Sequence, residues 1–248
     1  MCNELPIRLN KDPLVGVVFE LRFSSSPTLP NILPGYLFTN LGCSNITKTP
    51  QSEIPEVIRN SDPNLMYVPS FLLDWEKYQI FIGERSLALS CNIPYQGWSD
   101  FNRNIKLLLE KAVELSIDIN VERYSLKYTD VMEYTGITPI QDLLNVELNV
   151  GGESVDLPRT QMRTEKEIDG SIIITQLIGS ADAQLPSGKT KSGLLIDVDA
   201  INLVSNSELN ILLQDGFTKL DELHGKNKAT FFSLLSNDGL KRLEPVYG

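Results

Sequence analysis

Residues 155–203 read VDLPRTQMRTEKEIDGSIIITQLIGSADAQLPSGKTKSGLLIDVDAINL, and this stretch decides the fold class. Ser171–Ile178 (SIIITQLI) is rich in β-branched residues, which favour extended backbone. Asp169-Gly170 just before it is a two-residue hairpin signal, because both residue types tolerate positive φ. Residues 155–168 are largely polar, with Thr160, Met162 and Thr164 alternating against charged neighbours, so they read as a strand at an exposed position. Leu185–Thr190 (LPSGKT) is a loop, and Ser192–Leu203 (SGLLIDVDAINL) is a third strand. Strands joined by such short connections pair antiparallel, whereas a parallel sheet needs a long crossover between them.

Working outward, residues 14–23 (LVGVVFELRF) alternate Val15, Val17, Phe19, Leu21 and Phe23 against Gly16, Val18, Glu20 and Arg22. This period of two, with charges on one side, predicts a strand with one face on a core. Residues 24–38 (SSSPTLPNILPGYLF) carry three prolines and read as a surface excursion without a lasting regular element. Residues 53–59 suggest a short helix and Met66–Pro69 an extended piece. Tyr78–Ile82 and Ser86–Cys91, joined through Gly83-Glu84-Arg85, predict a hairpin.

A helix follows, capped by Ser99, with Phe101, Ile105, Leu108, Ala112 and Leu115 forming one apolar stripe. Residues 123–134 read as a long strand with Tyr124, Leu126, Tyr128 and Asp130 on one face, then Thr138–Leu144 as a short helix and 146–150 as extended. A last long helix is expected to begin near Ser207-Glu208 and to run through Leu209, Leu213, Leu220, Leu223, Phe231 and Leu234. Gly216 and Gly225 weaken it by roughly 1 kcal/mol each and predict a bend. Asn237-Asp238-Gly239 starts a terminal turn or helix. The expected fold is therefore α+β, a largely antiparallel sheet with two long helices packed on it. It makes a single domain over 1–248, whose order of elements also reads as two similar halves, 1–120 and 121–248.

The chain of 248 residues carries 22 Lys+Arg against 32 Asp+Glu, a formal charge of −10, which opposes a direct grip on nucleic acid and suits a basic protein partner. The three cysteines, Cys2, Cys43 and Cys91, form no Cys-x-x-Cys pair and read as reduced thiols. With no signal-peptide pattern at the start and no apolar run of about 20 residues, a cytoplasmic, non-membrane protein is expected.

The single histidine, His224, rules out His-Glu-x-x-His and other two-histidine metal sites. It lies four residues after Leu220, beside the helix's apolar stripe, which reads first as a half-buried, hydrogen-bonded side chain. Ser187-Gly-Lys-Thr190 resembles the end of a phosphate loop, but Ala183 stands where that loop needs glycine, and the segment lies between strands. Asp197 and Asp199 share a strand face. A solvated face is the first reading, and a divalent-cation site the alternative, which would require a third acid and an activating lysine. Trp98 follows Pro94-Tyr95-Gln96-Gly97 at a helix entrance, where an aromatic staples the incoming turn or lines a partner groove. No cofactor is expected.

Several short markers share a familiar order: Leu5-Pro6-Ile7, Lys11–Val15 running into Val17–Phe23, Pro94–Trp98, Tyr124–Val131 (YSLKYTDV), Leu220–His224 (LDELH) and Phe231–Leu235 (FFSLL). Together they resemble an uncharacterised protein family scattered sporadically through bacteria and archaea. Lys127 and Asp130 stand where that family tends to carry Arg and Asn. The resemblance implies a one-domain cytoplasmic protein of about this size, with the patchy distribution of defence, toxin–antitoxin and mobile-element genes. It implies no activity.

Three functional readings follow. The first is a non-enzymatic accessory or neutralising protein that binds a partner effector such as a nuclease or toxin, with Trp98, Tyr95, Tyr128 and His224 as partner-binding residues. The second is a metal-dependent hydrolase using Asp197 and Asp199. The third is a subunit that meets nucleic acid only through a partner.

Overall fold

The computed structural model describes residues 5–26, 29–134, 140–214 and 217–248. Along the chain lie β1 (Arg8–Leu9), β2 (Leu14–Ser25), α1 (Leu29–Asn40), β3 (Asn45–Lys48), α2 (Glu56–Ser61), β4 (Pro69–Trp75), β5 (Tyr78–Gly83), β6 (Ser86–Cys91), α3 (Trp98–Val113) and β7 (Ile119–Met132). There follow β8 (Asn149–Val150), β9 (Glu153–Ser154), β10 (Gln161–Ile168), β11 (Ser171–Gln184), β12 (Thr190–Glu208), α4 (Leu209–Gln214), α5 (Lys219–Leu234), α6 (Asn237–Arg242) and β13 (Pro245–Val246). Short 3-10 turns span Pro50–Glu53, Ile140–Leu143 and Leu157–Arg159. The fold mixes helix with a large antiparallel sheet, as the short inter-strand turns predicted. The chain forms two compact units, and β2, β7 and β12 each give residues to both.

The first unit comprises Val17–Leu126 and Ile201–Leu223. Its strand order is β12, β7, β2, β6, β5, β4, β3. The pairs β2–β6, β6–β5, β5–β4 and β4–β3 are antiparallel, with Phe19 opposite Leu89 and Ile82 opposite Leu87. The alternation read in β2 is realised: Val17, Phe19, Leu21 and Phe23 are all buried. α3 buries Phe101, Ile105, Leu108, Leu109 and Ala112, each large side chain contributing roughly 1.5–3 kcal/mol. Phe217, in the left-handed region at φ 53, packs edge-on against Tyr124 at 4.8 Å and Phe19 at 6.4 Å between ring centroids.

The second unit comprises Met1–Gly16, Lys127–Ala200 and His224–Gly248. β10 and β11 form the expected hairpin, closed by Asp169 and Gly170 with φ of 45 and 74, the mirror-image turn whose twist matches paired strands. β10 is exposed and forms the outer edge, as its polar sequence indicated. β12 and β7 follow inward, and Asn227 on α5 donates to the Val198 carbonyl at 2.7 Å. Ser236 caps α6 through the Gly239 amide at 3.0 Å. β1 pairs antiparallel with β13, with Arg8 opposite Val246.

Several expectations are corrected. Residues 24–38 are not a lasting excursion: α1 occupies Leu29–Asn40 and buries Leu29, Leu33 and Leu37 along one stripe. Pro30 sits in the first turn, where a missing N–H costs little, and the buried stripe outweighs the lost bond at Pro34. Instead of two long helices there are three of seven residues or more among the described residues, α1, α3 and α5. Ser207-Glu208 ends β12 rather than capping a helix, and the last helical region is divided into α4 and α5. α3 starts one residue before Ser99, after Gly97 at φ 95, with no side-chain cap. β4 begins where the Met66–Pro69 segment was expected to end. The strand expected at 155–168 starts only at Gln161, after the 3-10 turn. Thr138 and Pro139, expected to open a short helix, lie outside the described residues, as does Cys2.

Candidate functional site

In the first unit, Gly97 turns the chain into α3 and sets Trp98 at its first position. Tyr95 and Trp98, both half-buried, rest edge-on against buried Phe101, with ring centroids at 6.1 and 6.5 Å. The indole N–H of Trp98 donates to Asp221 Oδ1 at 2.7 Å, and Asn102 Nδ2 donates to the same oxygen at 3.0 Å. Asn102 is 8% exposed, and its carbonyl oxygen has no hydrogen-bond partner among the described residues. These three side chains, with Arg103, Lys106 and Glu110, line an open cleft of about 550 Å³.

Below it, Tyr78 stacks on Phe101 at 6.0 Å and donates to Asp100 Oδ2 at 2.6 Å. Burial, then this bond, push the Tyr78 phenol well above its ordinary value, so it stays a neutral donor. Tyr95 and Trp98 are thus anchored from beneath and stay half-buried. That arrangement offers amphipathic contact area that loses little entropy on binding.

In the second unit, Tyr128 and His224 meet: the phenol oxygen and Nδ1 are 3.3 Å apart and the rings 5.7 Å. His224 is half-buried and hydrogen-bonded, as the helix spacing suggested. The four aromatic and histidine candidates therefore form two pairs, one in each unit.

Asp197 is 7% exposed, so its face of β12 is not a solvated one. Its Oδ2 accepts from Thr129 Oγ1 at 2.9 Å and meets Lys127 Nζ at 3.1 Å, both from β7. A lysine is present, but it neutralises the carboxylate. Among the described residues no three His, Cys, Asp or Glu side chains converge as metal ligands. Ser187–Thr190 forms the start of β12 and the connection from β11, with no helix at its end.

The sequence reading attached no chemistry to Asp130. It is buried, and its carboxyl is raised well above the ordinary range by burial first, then by Asp12, with Asp197 adding and Lys191 opposing. Lys191 is lowered, chiefly by burial, and its ammonium donates to the Asp12 carbonyl at 3.0 Å. The available signal was an acid inside a strand whose neighbours Val131 and Met132 are buried.

No helix among the described residues is long and apolar enough to cross a membrane. No protein-family model matches the chain, and no curated protein matches it.

Proposed function

We propose that this chain is a non-enzymatic accessory or neutralising protein that binds a partner effector, such as a nuclease or toxin, in a prokaryotic defence or toxin–antitoxin type system. The observation that carries the binding reading is the Trp98 cleft. There a half-open indole is fixed by Asp221, seated on Phe101, and set beside a buried amide oxygen with an unused lone pair. Trp and Tyr anchored in this way dominate interaction hot spots. The chain's charge of −10 favours a basic partner, whose docking it would accelerate. The defence setting rests on the sporadic family that the sequence resembles.

The test is affinity purification of the full chain from its native host in mild salt, beside Trp98→Ala and Tyr95→Ala variants. A stoichiometric protein that accompanies the wild type and is lost from Trp98→Ala supports the reading. A clean wild-type chain with no stoichiometric companion overturns it, as does a companion equally retained by both variants.

A further inference from the structure

We infer that the first unit holds a second site, a pocket for the phosphate monoester group of a small ligand. The pocket has a volume of about 310 Å³ and is bounded by the start of α1, α2, the strands β3, β4 and β5, and the β5–β6 turn. Three cations line it, Lys48, Arg59 and Arg85, against two acids, Glu56 and Glu84. That local excess of positive charge runs against a chain whose net charge is −10.

The donors are unequally committed. Arg59 is consumed by an ion pair with Glu84 and by the Ile54 carbonyl, so it builds the wall. Ser25 and Ser52 already give their protons to main-chain carbonyls. Lys48 and Arg85 have no ion pair and no side-chain hydrogen bond among the described residues. Ser70, also lining the pocket, is only 8% exposed, and its hydroxyl has no partner among the described residues. A buried hydroxyl left without a partner is unfavourable, and a ligand oxygen would satisfy it.

A surplus of donors over acceptors selects an oxyanion. A carboxylate has two oxygens in one plane and is satisfied by a single guanidinium. Here the uncommitted donors come from β3, β4 and the β5–β6 turn. That spread suits a tetrahedral group with three terminal oxygens and up to two charges. The site is separate from the Trp98 cleft and does not depend on the partner reading.

The test is calorimetric titration of the full chain with inorganic phosphate, adenosine monophosphate and adenosine at low salt. Lys48→Gln and Arg85→Gln variants are run alongside, with thermal melts to confirm that each is folded. Phosphate and the monophosphate should bind with Kd of about 1 mM or tighter, and each substitution should weaken them about tenfold. Adenosine alone should not bind, and Trp98→Ala should leave the affinities unchanged. Vesicles containing phosphatidic acid present the same group on a lipid. Sedimentation with them that needs Lys48 and Arg85 assigns the group to a lipid, and binding of the soluble monophosphate alone assigns it to a small molecule. No binding of any phosphate probe overturns the inference, and so does binding that survives both substitutions.

Discussion

Trp98 and Asp221, separated by 123 residues of chain, are joined by a 2.7 Å hydrogen bond from the indole N–H to the carboxylate. The same oxygen also satisfies the Asn102 amide, so one carboxylate fixes both the indole and the amide.

Asp221→Ala should therefore cost roughly 1–3 kcal/mol of stability, since it leaves the buried Asn102 amide without its acceptor. In a Trp75→Phe background the remaining indole should shift its fluorescence to the red as it loosens. Urea unfolding and emission spectra check both effects, and an unchanged spectrum would show that Asp221 does not hold the ring.

Asp130 makes stability pH-dependent. Its carboxyl titrates above the ordinary value of 3.8 when folded, so the folded chain keeps a proton that the unfolded chain releases. Stability from this group is complete below 3.8 and is lost as pH rises toward the raised folded value. Asp130→Asn should match the wild type near the low end of that window and exceed it at about pH 7. Urea midpoints across the range measure the difference, which should grow with pH.

Two glycines should respond oppositely to alanine. A Cβ at Gly193 would overlap the Met132 carbonyl, so Gly193→Ala should destabilise by roughly 1–3 kcal/mol. Gly225 lies in α5 with open space around it, so Gly225→Ala should stabilise by up to about 1 kcal/mol. Thermal melts of the two variants give the signs directly.

Cys43 and Cys91 are buried, and burial pushes both thiols up, away from the reactive thiolate. Neither should label with a maleimide in the native protein over the time that unfolded chain labels completely. Mass spectrometry of the alkylated peptides reads this out, and rapid native labelling of either residue would contradict the burial.

What could be read from the sequence was local. The alternation of Val17, Phe19, Leu21 and Phe23, the Asp169-Gly170 turn and the Phe101–Ala112 stripe each carry their own period or dihedral preference, and all three appear in the fold. α1 was hidden because proline signals outweighed the four-residue spacing of Leu29, Leu33 and Leu37, whose value lies in a core that sequence alone does not display. The Ser207-Glu208 cap signal lost to pairing that carries β12 through those residues. At the candidate sites, the residue types were legible but their partners were not. Nothing in spacing links Trp98 to Asp221, or Asp197 to Lys127 and Thr129, because these contacts follow from tertiary packing.

The place of Phe217 against Phe19 and Tyr124 also constrains how the chain comes off the ribosome. Phe19 and Tyr124 are both synthesised before Phe217, so until that residue emerges their rings lack its cover. A nascent chain in that condition is prone to clump with its neighbours, and slow, well-chaperoned synthesis should raise the yield of soluble protein.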